Sequence, residues 1–249
     1  MTTSTWWRRL LRVLPSFEEE MVLLRRLVAP GDVCLDVGAS YGLYAVWLAR
    51  LVGVRGRVHA FEPRARSRWV LRAVLRLATR GNVVVHPIAL SSCDGQDVLV
   101  TPRRRWLLPV PGRTFLRGEL DSAAGYYEGW VSEFGGARES AVATRTLDGF
   151  ASDLGGAVRF VKIDVEGAEL AVLEGGAATI ARDRPAVLCE IEDRHTRKYG
   201  HAPGDVVAWF DARGYRLTHL GSHGLELAAD VTDAVNNYLF LPAERPLPG

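Results

Sequence analysis

Apolar positions along the chain follow two rhythms. Short, mostly apolar runs recur at 33–37, 57–62, 82–88, 158–164, 186–191, 215–220 and 237–241, bounded by turn-forming residues. Such runs predict buried strands. Between them, apolar residues return every three or four positions at 43–51, 67–79, 169–181 and 206–213, which predicts helices. In the helix over 67–79, Trp69, Val70, Ala73, Val74 and Leu77 are expected to form the apolar face, with Arg68, Arg72, Arg76 and Arg80 on a solvated one. Alternating strands and helices imply right-handed crossovers, hence an α/β fold with helices on both faces of a mostly parallel sheet. The last two strands lack a long crossover helix between them, so an antiparallel hairpin is expected at the edge. The runs make a seven-stranded sheet.

The rhythm breaks at about 91–143, a stretch with Gly, Pro and the run Arg103-Arg104-Arg105. It is too long for a plain connector and is expected to be an insertion with short elements of its own. Its aromatics, Trp106, Phe115, Tyr126, Tyr127, Trp130 and Phe134, suit either a lid over a ligand or a small satellite core. At the start, Trp6-Trp7-Arg8-Arg9-Leu10-Leu11-Arg12 reads as a short amphipathic helix. It is expected to belong to an N-terminal helical cap over 1–30, with a membrane-surface anchor as the alternative, and 31–249 to form the main domain.

Composition narrows the class. A hydrophobic fraction of 48% over 249 residues supports a sizeable core and excludes wholesale disorder. The net charge of +2, from 31 basic and 29 acidic residues, argues against a purely electrostatic nucleic-acid binder. Lys162 and Lys198 are the only lysines, so a lysine inside the strand over 158–164 is not compositional noise. Cys34, Cys93 and Cys189 form no CxxC pair, and the odd count fits a reduced, cytoplasmic setting. No stretch reaches the roughly 20 apolar residues of a membrane span.

The loop Asp36-Val37-Gly38-Ala39-Ser40-Tyr41-Gly42, between the first strand and its helix, is the strongest chemical signal. Glycines there let the backbone turn sharply and approach a ligand. A dinucleotide fold would want glycine where Asp36 stands, since an acid repels a pyrophosphate. An acid can instead receive the ammonium of a sulfonium amino acid, which favours S-adenosylmethionine. Glu62, closing the second strand, is placed to accept both ribose hydroxyls. Adenine is expected along 86–91, beside Ala89 and Ser91, with His86 either a contact or a strand-end histidine.

Asp36 to Gly42, Phe61-Glu62-Pro63, Thr146-Leu147-Asp148, Lys162-Ile163-Asp164-Val165-Glu166-Gly167-Ala168-Glu169 and Asn237-Tyr238-Leu239-Phe240 occur in this order. Together they resemble the FkbM family of S-adenosylmethionine-dependent methyltransferases, from about residue 32 to 242. The resemblance implies a Rossmann-like class I methyltransferase fold and O-methylation, often of a secondary-metabolite or sugar hydroxyl. Two positions depart from the family pattern. Ser40 stands where Asn is frequent, and Glu190-Ile191-Glu192 where Glu-Ile-His is frequent, with His195 three residues further on.

A hydroxyl is a poor nucleophile unless its proton is removed during attack or a metal lowers its pKa. Asp164 ends the fourth strand, on the edge where open α/β sheets bind ligands. Lys162 shares its face by period two, either as Asp164's structural partner or as a catalytic amine. His195 is the conventional base candidate, or a surface-loop histidine. Asp164, Glu190 and Glu192 could share Mg²⁺, or cap and ion-pair. The expected acceptor is a small molecule, such as a sugar, glycolipid or polyketide. The rivals are an RNA methyltransferase, for which the arginine runs speak, and a non-catalytic S-adenosylmethionine-binding partner protein. A homodimer is compatible with the sequence, which does not specify it.

Overall fold

The computed structural model describes residues 16–102, 114–118, 137–221, 224–232 and 235–247. The 6–12 segment, Arg103 to Arg105, and the aromatics Trp106, Tyr126, Tyr127, Trp130 and Phe134 lie outside these residues.

Helix α1 (Ser16–Leu27) comes first. It is followed by β1 (Val33–Val37), α2 (Leu43–Val52), β2 (Arg57–Phe61), α3 (Ala65–Ala78) and β3 (Val83–His86). Four strands, β4 (Ala89–Leu90), β5 (Gly95–Pro102), β6 (Phe115–Leu116) and β7 (Ala137–Arg145), form a separate sheet in the order β4-β7-β5-β6. The alternation resumes with α4 (Leu147–Phe150), β8 (Val158–Ile163), α5 (Glu169–Glu174), α6 (Ala177–Asp183) and β9 (Ala186–Glu190). Next come α7 (Asp193–Thr196), α8 (Pro203–Asp211), β10 (Tyr215–Gly221), β11 (Gly224–Leu227) and β12 (Asn237–Pro242). No described helix is long and apolar enough to cross a membrane.

The main sheet has eight strands, in the order β11-β10-β12-β9-β8-β1-β2-β3. The expected seven omitted β11, whose Gly-Leu-Glu-Leu is partly exposed and has no continuous apolar run. Strand β12 pairs antiparallel with both β9 and β10, so it lies inside the sheet, and the edge hairpin is β10 with β11. The third strand stops at His86 because Pro87 cannot donate to a ladder. Ala89 and Leu90 then pair with β7 in the other sheet. The helix expected over 169–181 breaks at Gly175-Gly176, where a Cβ on Gly175 would collide with the Ser91 carbonyl.

Period two divides the core. Leu35, Val37, Val161, Ile163, Val187 and Cys189 face Phe150, Leu173, Ile180 and Phe210 of the helices on one side. Cys34, Phe160 and Leu188 face Met21 and Leu24 of α1 and Leu48 and Val52 of α2 on the other. By the same alternation Asp36, Lys162 and Glu190 belong to the α2 side. Burial on α3 differs from the expected face: Ser67, Leu71 and Leu75 are buried, while Trp69 and Leu77 face solvent. Apolar residues run round the whole helix, so their spacing alone did not select the inner face.

Chain direction sets the ligand edge. From β1 the chain moves outward to β2 and β3; it later re-enters at β8, on the other side of β1, and moves outward to β9. The strand order therefore reverses between β1 and β8, and a crevice opens beyond their carboxyl ends.

Candidate active site

The loops leaving β1 and β8 are pressed together at this reversal. Asp164 N–H donates to the Val37 carbonyl at 3.0 Å. Gly38 has φ 83°, and a Cβ there would collide with the Asp164 carbonyl. Glycine is thus required by both conformation and space. Above the junction lies a cleft. Its lining includes Gly38, Glu62, Arg64, Ala89, Asp164 and Glu166, under apolar Leu99, Phe115 and Leu116 from the second sheet. Phe115 is buried there.

Glu62 ties the glycine loop to the cleft. Its Oε2 accepts the Ser40 N–H at 2.8 Å, and its Oε1 accepts the Arg64 N–H at 2.8 Å. The Arg64 guanidinium adds Nε to Oε1 at 2.9 Å and Nη2 to Oε2 at 3.0 Å. Four donors therefore occupy a carboxylate that offers about four lone-pair positions. Ser40 has φ 47° and Glu166 φ 58°, so two of the three described non-glycine residues with positive φ flank the cleft. Such backbone strain clusters at ligand sites. Gly42, also left-handed, starts α2, and Tyr41 beside it is 48% exposed. Ser91 is buried and donates its N–H to the Arg145 carbonyl at 3.0 Å, behind Ala89.

The turn after Asp164 gives its two glutamates different tasks. Glu169 is buried, and its Oε1 accepts the N–H groups of Gly167 at 3.0 Å and Val165 at 3.3 Å. Burial pushes it up to about 7 against those bonds. With the turn held, Glu166 borders the cleft, and its buried Oε2 has no hydrogen-bond partner. Burial pushes Glu166 up to about 8, opposed by Lys198 and Arg64.

Behind Asp164 runs a row of acids. Asp164 is hydrogen-bonded to Glu190, and Glu190 to Glu192. Burial first, then the Asp164 charge, pushes Glu190 up to about 9, while Lys162 pulls it down. Burial and the neighbouring charge of Asp164 thus both favour a proton on this row of carboxyls. Glu192 also accepts Asn236 Nδ2 at 3.0 Å and pairs with Arg194. Among the described residues no group of three or more His, Cys, Asp or Glu side chains is arranged to hold a metal ion. Asp164, Glu190 and Glu192 therefore do not form the expected Mg²⁺ site.

Lys162 is 1% exposed, and its Nζ reaches Asn237 Oδ1 at 3.1 Å and the Ile163 carbonyl at 3.3 Å. It stands opposite Asp36 in the β1–β8 register and 5.3 Å from the Tyr44 ring. Its charge acts on both Asp36 and Glu190. Asp36 is buried behind the cleft wall and accepts the Ala45 N–H in the first turn of α2. Its Oδ2 has no partner, and burial pushes it up to about 7 against Lys162.

His195 is buried in α7, not on the cleft lining. Its Nδ1 lies 3.2 Å from Lys198 Nζ and its Nε2 3.5 Å from Glu192 Oε2. Burial, then Lys198, lowers it to about 4, so the ring is neutral and accepts from the ammonium. Lys198 is itself buried, 5.9 Å from the Phe115 ring. Both lysines of the chain thus lie buried near this end of the sheet. His86 meets His59 at 3.0 Å and stacks on Phe61, which makes it a packing residue. Sequence reasoning missed Arg64, Glu166, Glu169 and Lys198. The signals were the second glutamate of the Lys162 to Glu169 block and the scarcity of lysine.

The model of the methyltransferase FkbM domain matches residues 36–217. Among solved structures, a methyltransferase FkbM from Methylobacillus flagellatus is similar at 19% identity and TM-score 0.50, over 85% of this chain and 43% of that one. The chain thus spans less than half the length of that relative. A SAM-dependent methyltransferase from Aquifex aeolicus is similar at 13% identity and TM-score 0.43, over 90% of this chain and 89% of that one. A SAM-dependent O-methyltransferase from Thermotoga maritima is similar at 10% identity and TM-score 0.44, over 92% and 66%. No curated sequence matches significantly. The first likeness shows a class I methyltransferase fold, and with a family model covering most of its length, the chain belongs to the FkbM methyltransferase family.

Proposed function

We propose that this protein transfers the methyl group of S-adenosylmethionine to a hydroxyl of a small molecule, such as a sugar, glycolipid or polyketide. The observation that carries the reading is the cleft at the strand reversal, with the Gly38 loop and Glu62 on one wall, Asp164 and Glu166 on the other, and an apolar cover. Gly38, Ser40, Tyr41, Gly42 and Glu62 would hold the cofactor, with Ala89 and Ser91 toward the adenine. The unpartnered Oε2 of Glu166 and the left-handed Gly38, both on the cleft lining, fit a polar ligand seated close against this backbone. The cofactor supplies an electrophilic methyl group. Asp164 takes the acceptor's hydroxyl proton as the oxygen attacks. A proton on Glu190, donated to Asp164, keeps that carboxylate in place, and Lys162 holds the row from behind. Labelled methyl transfer across a panel of hydroxyl, amine and carbon acceptors tests the reading; label appearing only on nitrogen or carbon overturns it.

Glu62→Ala is expected to weaken cofactor binding by about 1.5–3 kcal/mol, the range for hydrogen bonds to a charged group. Calorimetry measures it. Arg64→Ala keeps the Ser40 bond and should hold or raise affinity, because guanidinium donors must yield to ribose hydroxyls. Unchanged affinity in Glu62→Ala removes this acid from the site.

A further inference from the structure

The solvent face of α3 carries both charge and apolar bulk. At 100° per residue, Arg66, Trp69, Arg72, Arg76 and Leu77 fall within an arc of about 140°. Ser67, Leu71 and Leu75 are buried on the other side. Trp69 is 75% exposed and Leu77 90%. Val54, 68% exposed, and Arg55 stand on the turn after α2. Asn82, just beyond Arg80, donates to the carbonyls of Ala49 and Gly53 at 2.7 and 2.9 Å, so that turn lies close to the C-terminal end of α3.

Charge is segregated along the same stretch. Residues 37–93 hold nine arginines and a single acid, Glu62, which is buried and paired with Arg64. The stretch therefore carries a net charge of +8 in a chain whose total is +2. Arg66, Arg72, Arg76 and Arg80 face solvent and make no ion pair with any described residue.

We infer that this face docks on an anionic membrane surface. Arginines alone would suit any polyanion. Nucleic acid would use the arginines and the indole, but an aliphatic Leu77 or Val54 gains nothing against phosphate and ribose. A bilayer uses all three: arginines at lipid phosphates, an indole at the headgroup level, and aliphatic side chains just beneath. Arginine stems lie along apolar surface while their heads stay at the phosphates, so the interleaving is favourable there. The attachment is peripheral and does not depend on the chemistry of the cleft.

The test is cosedimentation of the full chain with vesicles of phosphatidylcholine alone, or of phosphatidylcholine and phosphatidylglycerol in equal parts. Binding is expected only to the second, and should fall with salt. Arg72→Glu with Arg76→Glu should lower partitioning roughly tenfold to a hundredfold, from the electrostatic contribution of each cation near the surface. Trp69→Ser with Leu77→Ser should lower it several-fold without changing the salt dependence. All four positions face solvent, and circular dichroism checks that each variant is folded. Absence of binding to anionic vesicles at low salt overturns the inference, as does native binding by both variants. Capture of a single-stranded RNA oligonucleotide without vesicle binding would assign the face to nucleic acid instead.

Discussion

Asp164→Asn is expected to lower methyl-transfer turnover by about 10²–10⁴, the usual contribution of a positioned acid or base. Cofactor affinity should barely move. The substitution keeps the side chain's shape and leaves the backbone bond from Asp164 N–H to the Val37 carbonyl intact. The amide oxygen can still accept from Glu190, so the row behind the cleft survives. What is lost is the capacity to take a proton from the acceptor hydroxyl. Single-turnover transfer of labelled methyl, with calorimetry for the cofactor, separates the two effects. His195→Ala supplies the contrast: one ring nitrogen faces Lys198 and the other Glu192, outside the cleft lining, so the change in rate should be small. Near-native turnover in Asp164→Asn beside a collapse in His195→Ala would move the base to α7 and sink the proposed mechanism.

The parts of this molecule that were legible in its sequence are those fixed by burial on both sides. Strands β1, β8 and β9 read as near-continuous apolar runs because helices cover both faces of the sheet. A glycine loop after the first strand, and acids at the ends of the second and fourth, follow from where such a sheet binds ligands. What was not legible depends on neighbours distant in sequence. The half-exposed pairing of β11 leaves no apolar signature. On α3, Leu71 and Leu75 were overlooked beside a tryptophan and a leucine that turn outward. The direction of Asp36, into the first turn of α2, depends on Ala45 and on a lysine more than a hundred residues away. Arg64 covering Glu62 is a local contact whose strength comes from burial, which spacing does not report. Glu166 stood inside a recognised block, yet its depth and left-handed backbone appear only when Gly167 is packed against the His195 carbonyl.

Wild-type stability is expected to fall between about pH 6.5 and 9, and Glu190→Gln should remove the upper part of that fall. Asp36 and Glu169 are raised to about 7, Glu166 to about 8 and Glu190 to about 9, all chiefly by burial. In the unfolded chain these groups lose their protons near pH 4. Between that value and each raised one, the native state holds more protons than the unfolded state, so stability declines as pH rises. Histidines act oppositely. Burial lowers His86 and His195 to about 4 and also lowers His59, so the native state gains stability as the unfolded imidazoles deprotonate, up to about pH 6.5. The two sets roughly cancel below that pH, leaving the alkaline fall uncovered. For Glu190 alone the loss to pH 9 is on the order of 2–4 kcal/mol, at about 1.4 kcal/mol per pH unit. Its surroundings account for the size: Asp164 and Glu192 are hydrogen-bonded to it, and the Lys162 ammonium only partly offsets them. Glutamine keeps a donor for Asp164 and cannot ionise, so the variant should stay active while its stability flattens between about pH 8 and 9. Urea titrations at intervals across this range measure the slope directly. A native slope that is flat or rising, or an unchanged slope in Glu190→Gln, would show that Glu190 does not hold the proton between the two carboxylates.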